Sequence, residues 1–213
     1  MNLNLKELEK QFHADGFLLG MQALEAGLGK DVLNKSVQNL HSMVDEVIDA
    51  FLIFAEQHKQ SPDCKKNCSW CCYQPVFALS YELDNLNDFI SKNFTVSEKE
   101  QINARADAKR KILIDLKGNA LLHFKFPCPL LQDGSCMAYN ARPVACRIYL
   151  SSEVKSCKIF FHDPENVEAV PALMDFPMRM GRMINEGFSA ALKSSGVEIE
   201  ELRIEEGLGN VTL

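Results

Sequence analysis

No stretch of the chain approaches the ~20 uncharged apolar residues that a bilayer crossing requires. The most apolar run, Val44 to Ala55, is broken by Asp45, Glu46 and Asp49, so no membrane span is expected. The opening residues MNLNLKELEK have neither the basic start nor the continuous apolar segment of a secretory leader, and the expectation is a cytoplasmic protein. An excess of positive charge is missing as well. Twenty-nine acidic residues stand against 23 basic ones, for a net charge of −6, which works against binding a phosphate backbone and makes nucleic acid an unfavourable partner. The familiar catalytic signatures are also absent: there is no G-x-G-x-x-G, P-loop, H-E-x-x-H or G-x-S-x-G, and enzymatic activity is left open. Disorder and low-complexity architecture are excluded by 46% hydrophobic and 24% charged residues, and 213 residues suit one domain with a real core.

What the chain has is cysteine. All eight fall between positions 64 and 157: Cys64, Cys68, Cys71, Cys72, Cys128, Cys136, Cys146 and Cys157. Disulfide frameworks belong to small exported domains short of a core, which this chain does not resemble in size or in its first residues. Buried free thiols are common, but chance does not gather four within nine residues (64 to 72). Metal ligation is the remaining reading.

The flanks are helical in pattern. Leu33, Val37, Leu40, Val44, Val47, Phe51 and Phe54 follow alternating steps of four and three, the spacing of one apolar helical seam, with Asp31 as candidate N-cap. The segment from Leu3 to Leu28 is also helical, although Gly16 and Gly20 weaken its middle, and Gly27 and Gly29 mark a turn between the two. The seam of this antiparallel hairpin closes either internally, the simpler solution, or on a second copy as a homodimer. Pro75 to Ser80 is short and apolar enough to be extended, with Ser80 capping a helix to Phe94. Ser97 and Glu100 form a capping box that opens a helix ending at Gly118. From Phe126 to Phe161, three prolines and a turn at Asp133-Gly134 accompany four cysteines, and order there must come largely from something other than regular structure. Phe176 to Lys193 is a helix with Met178, Met180, Met183, Ile184, Phe188 and Leu192 along a buried stripe; Val197 to Leu213 is a short strand or a tail. The predicted fold is therefore mostly α: a helical hairpin over residues 1–60, an irregular cysteine-rich metal-binding module over 61–162, and a C-terminal helix and tail over 163–213, packed as one unit.

The loop Cys64-x3-Cys68-x2-Cys71 lets thiolates from one tight segment converge on one centre. Cys72 is adjacent to Cys71, and neighbouring side chains usually diverge, so one of the two has a different role. Two four-cysteine sites, one shared cluster and a multinuclear centre all use this inventory. Only one C-x2-C knuckle is present, Cys68 to Cys71, where structural zinc sites usually have two, which tilts the reading toward an iron-sulfur cluster, [4Fe–4S] first, with zinc as alternative. The same x3/x2 loop marks radical S-adenosylmethionine enzymes, but those need an α/β barrel with the loop near its first strand, and here about 60 residues of helical pattern precede it. His58, His123 and His162 lie near cysteines in sequence, but eight thiols make a histidine ligand unnecessary. Met174, Met178, Met180 and Met183 suit helix packing better than copper capture.

The set Cys64-x3-Cys68-x2-Cys71-Cys72, Cys128-Pro129-Leu130-Leu131, Cys136-x2-Tyr139, Arg142-Pro143 and Cys146-Arg147 resembles the YkgJ-type cysteine-cluster family, a zinc- or iron-chelating domain. More distantly it is similar to flagellin lysine N-methylases that carry an iron-sulfur centre. The resemblance covers roughly Ser61 to Phe161. It departs where Ile148-Tyr149 follows the Cys-Arg pair in place of the commoner Phe-Pro. It implies a metal and supplies no reaction. Arg142 and Arg147 are expected beside the thiols, either offsetting anionic charge or bonding loop carbonyls; Trp70 and Tyr139 are expected to pack around the loops. Three functions remain: a metal-binding protein whose helical arms carry a protein partner, a metal-dependent protein-modifying enzyme, and a metal carrier or redox sensor.

Overall fold

The computed structural model describes residues 4–65, 67–166 and 170–208. Two long helices, α1 (Leu5–Glu25) and α2 (Lys30–Gln57), open the chain. A 3-10 turn at Trp70–Tyr73 leads into strand β1 (Phe77–Leu79), then α3 (Ser80–Asn93) and α4 (Val96–Leu113). The short α5 (Asn119–His123) precedes the hairpin of β2 (Leu131–Gln132) and β3 (Ser135–Cys136). A second 3-10 turn at Tyr139–Ala141 is followed by α6 (Val144–Arg147), α7 (Val154–His162) and α8 (Asp175–Ser194), and then by β4 (Glu201–Arg203) and α9 (Ile204–Gly207). The architecture is mostly helical, as the sequence predicts. No described helix is long and apolar enough to cross a membrane.

The seam of α2 closes within the chain. Val37, Leu40, Val44 and Ile48 are buried with Leu19 of α1 and Ile184, Phe188 and Leu192 of α8. The heptad pattern drifts from the real one because a straight helix repeats every 3.6 residues, not 3.5. By the last turns Ala55 faces inward and Phe54 is 54% exposed. Its ring stacks on His58 instead. The corrected face also buries His41, 3% exposed.

Gly16 and Gly20, which propensity alone marks as weak points of α1, are instead contact points. A Cβ on Gly16 would stand 2.0 Å from the Ile184 carbonyl oxygen, and one on Gly187 of α8 would stand 2.0 Å from that of His13. Without side chains at these positions the two helix backbones touch.

A second core gathers Leu83, Leu86 and Ile90 of α3, Ile102 and Ala106 of α4, Leu130, and Ile204 and Leu208 at α9. Strand β4 pairs antiparallel with β1, Phe77 opposite Arg203 and Leu79 opposite Glu201. That pairing draws the C-terminal segment onto the residues just after the first cysteine loop. Of the predicted tail, residues 209–213 lie outside the described residues. Buried charges close this corner: Lys109 Nζ stands 3.4 Å from Glu205 Oε2 and Arg203 Nε 3.2 Å from Glu205 Oε1.

Three helix starts differ from expectation. α4 begins two residues early, with Thr95 as N-cap; its hydroxyl accepts from the Glu98 amide, and Glu98 accepts from the Thr95 amide at 2.8 Å. Thr95-x-x-Glu98 is as good a capping box as Ser97-x-x-Glu100, and Val96 between them joins the helix. α2 is entered from Gly29, leaving Asp31 in its first turn, and Ser80 is the first residue of α3 rather than its cap. α4 also stops at Leu113, short of Gly118.

Candidate metal centre

The first cysteine loop is stitched to the second cysteine segment at three places. At its start, the Asp63 amide donates to the Ser151 carbonyl at 2.9 Å and the Val154 amide to Asp63 Oδ2 at 3.0 Å. At its tip, Asn67 takes a left-handed backbone (φ 69°), a conformation that Asn tolerates better than most residues, and its Oδ1 accepts from the Ser135 hydroxyl at 2.7 Å. At its end, the Cys128 amide donates to the Cys72 carbonyl at 2.7 Å. Two stretches about sixty residues apart are thereby held in register, and all eight cysteines are free thiols.

Local turns aim the sulfurs. Leu130 donates its amide to Cys128 and Ala138 its amide to Cys136. In both, the donor is two residues beyond the sulfur, so the chain curls around it. The buried Ser151 donates its amide to Cys64 Sγ at 3.2 Å, and its hydroxyl contacts Cys157. Cys157 rides on α7, a helix that the sequence places in irregular chain. That helix docks by aromatic edges: the Phe161 ring lies 5.2 Å from Trp70 and 5.0 Å from Tyr73. Trp70 is thus packing, as expected.

Burial first, and neighbouring thiols second, set the protonation of the cysteines. Burial pushes Cys128 up to about 11 and Cys146 well above the usual thiol range. Burial likewise raises Cys64, Cys136 and Cys157. Cys71 moves the other way, to about 7, because Cys72 hydrogen-bonds it; the same contact, with burial, drives Cys72 up. Tyr149, raised to about 12 by burial, feels Cys157, Cys71 and Cys64. Among the described residues no three His, Cys, Asp or Glu side chains stand close enough together to form a finished ion-binding group.

The two arginines part company. Arg142 lies among the thiols and opposes the burial of Cys136 and Cys146. Its guanidinium sits 3.7 Å above the Tyr139 ring, and its buried Nε has no hydrogen-bond partner. Arg147 turns to the scaffold, donating from Nε to the Arg142 carbonyl at 2.8 Å and from Nη2 to the Asn140 carbonyl at 2.6 Å, and pairing with Asp45 on α2. Of the histidines weighed as ligands, His58 bonds the Phe54 carbonyl at 2.8 Å and His162 packs on Trp70 and Phe161, while His123 ends α5.

Sequence reasoning missed Ser151, which touches two sulfurs and carries no signal of its own. It also missed Asn67, for which an Asn inside an x3 spacing is a recoverable hint. Glu82 was missed too. Its carboxylate is 1% exposed and accepts from the Val144 amide at 2.7 Å, fixing the start of α6 just before Cys146.

Eight sulfurs, amides directed at them and a guanidinium in their midst suit a thiophilic metal. Comparison with known proteins agrees. No curated protein and no solved structure matches the chain. The family model described as "putative zinc- or iron-chelating domain" matches residues 63–186, beyond the 61–161 expected from motifs and into α8. Because that match spans more than half of its length, the chain belongs to the CxxCxxCC family of cysteine-cluster domains.

Proposed function

We propose that this protein holds iron through its clustered thiols, as an iron-sulfur cluster of the [4Fe–4S] type, in a centre built between the Cys64–Cys72 loop and the Cys128–Cys157 segment. One observation supports this above the rest: eight free thiols lie on two stretches that backbone and side-chain bonds hold together, with backbone amides directed at sulfur. An all-sulfur donor set is what such clusters take, and a guanidinium beside it offsets the anionic charge of several thiolates. A bound cluster would supply one-electron chemistry. The thiol protons would leave to solvent as metal binds, and the chain's own part is to direct the amides of Leu130, Ala138 and Ser151 at sulfur and to pack Trp70, Tyr73 and Phe161 beside the loop. Zinc is the second reading, favoured by the two turns at Cys128 and Cys136, which also suit a tetrathiolate zinc knuckle.

Anaerobic purification separates the two. Iron with acid-labile sulfide, and visible absorption that bleaches with dithionite, supports the cluster; a colourless protein with stoichiometric zinc rejects it. In either case Cys68→Ser and Cys71→Ser lower metal content and loosen residues 61–162, because binding energy in a loop-rich module is folding energy. Full metal content with unchanged melting in both variants overturns the proposal.

A further inference from the structure

Away from the thiols, α2 and α3 meet along a polar seam. Lys30 Nζ lies 3.9 Å from Asp88 Oδ1, and His41 Nε2 lies 3.5 Å from Glu82 Oε1. Beside these pairs opens a cleft of about 310 Å³, lined by Gln38 of α2, by Asn85, Asp88, Phe89 and Lys92 of α3, and by Asn140 of the second 3-10 turn. That volume is at the lower end of small-molecule sites. Asn85 sets the cleft apart. It is 3% exposed, yet among the described residues no group hydrogen-bonds its side-chain amide. Buried polar groups are paired as a rule, and leaving one unpaired is costly. The carboxylate of the cleft, by contrast, is already matched: Asp88 Oδ2 takes Lys92 Nζ at 2.6 Å. What the cleft leaves open is therefore an amide rather than a charge.

A carboxamide presents an acceptor and a donor side by side. A carboxylate brought against it sets oxygen against oxygen, and an ammonium sets donor against donor. The matching group carries N–H and C=O on one edge as well. A trans peptide bond does not, because its N–H and C=O point to opposite sides; a primary carboxamide and the lactam edge of a ring do. The half-buried Phe89 gives such a flat group an apolar wall. We propose that this cleft binds a small uncharged molecule through a primary carboxamide or ring-lactam edge, paired with the side-chain amide of Asn85. The site goes beyond metal binding and does not rest on it. Its Asn140 wall belongs to the turn between Cys136 and Cys146, and the Asn140 carbonyl accepts from Arg147 at 2.6 Å, so the occupant borders the cysteine segment.

The test is amide-detected NMR of the purified full chain, following the side-chain amide of Asn85 and the backbone amides of Phe89, Asn140 and Ala141 as probes are titrated. Benzamide should move these signals saturably. N-methylbenzamide, whose amide is trans, and benzoate should each bind about tenfold more weakly or worse. Uracil forms a separate arm: tighter binding than benzamide assigns the ring lactam, and weaker binding assigns the open carboxamide. Asn85→Leu keeps the bulk and removes both hydrogen-bonding groups, so it should cost about tenfold or more in benzamide affinity without lowering the melting temperature. The probe series on the wild type decides even where that variant fails to fold. Three results overturn the proposal: no saturable shift with either benzamide or uracil, which leaves ordered water as the occupant; benzoate or N-methylbenzamide bound as tightly as benzamide; or a folded Asn85→Leu variant that binds benzamide unchanged. None of these outcomes bears on the metal, whose content is measured separately.

Discussion

Replacing Glu82 by Gln should destabilise the protein by about 2–4 kcal/mol, because this carboxylate accepts three hydrogen bonds and faces His41 in a place water does not reach. One oxygen accepts from the Val144 amide at 2.7 Å and lies 3.5 Å from His41 Nε2; the other accepts from Asn185 Nδ2 at 3.2 Å and the Leu79 amide at 3.3 Å. A glutamine amide keeps one oxygen and turns N–H groups toward donors on the other side. Asn185 cannot flip to compensate without cost, since its own oxygen accepts from the Tyr81 hydroxyl at 2.6 Å. Two charge-assisted hydrogen bonds become neutral, and one or two buried donors lose their acceptor. In a chain of this size that is a fall in melting temperature of roughly 5–15 °C. Urea denaturation of metal-saturated and metal-free protein, followed by circular dichroism and by the fluorescence of Trp70 on the cysteine loop, measures it. Glu82→Ala should cost more. A Glu82→Gln variant within about 0.5 kcal/mol of the wild type, the ordinary range of a surface substitution, would show that Glu82 does not organise α3, α6 and α8.

The α1–α8 contact predicts that Gly187→Ala loses about 1–3 kcal/mol, the usual cost of overpacking, since the new methyl meets backbone at 2.0 Å, whereas Gly29→Ala, with open space around it, is nearly neutral; paired denaturation curves check both. Burial lowers the pKa of His41 below its ordinary 6.5, against the opposing hydrogen bond of Glu82. The unfolded chain therefore binds the extra proton first, and stability should fall as the pH drops below about 6.5, toward the depressed folded value. Its neighbours Glu82, Asp45 and Arg147 stay in place in His41→Phe, so that variant should show a flatter slope over this window, and an unchanged slope would remove His41 as the cause.

Much of the helical scaffold was legible because amphipathic spacing is a property of the chain itself. The seam of α2 and the stripe of α8 appear at nearly the positions read from sequence, and the error at Phe54 comes from carrying a period of 3.5 where the helix keeps 3.6. Partners in space were not legible. Gly16 and Gly20 read as local weakness because their value depends on α8, some 170 residues away. α7 was missed because its short run, with Cys157 in the middle, gains helical stability from docking Phe161 on Trp70 and Tyr73 rather than from propensity. The cysteines were found by their clustering, but which sulfur neighbours which is set by Ser151, by the Cys72–Cys128 backbone bond and by the second core, none of which spacing encodes.

The clamping of α6 makes the two sides of the thiol cluster mechanically unequal. Cys146 rides on a turn gripped by Glu82 at its head and by Arg147, bound to Asp45, at its tail. The Cys64–Cys68 turn is tied by the solvent-facing bonds at Asp63 and Asn67, which resist displacement less than buried ones. Amide hydrogens around α6 should therefore exchange more slowly than those of the loop that carries Cys64, the unequal grip showing as unequal protection.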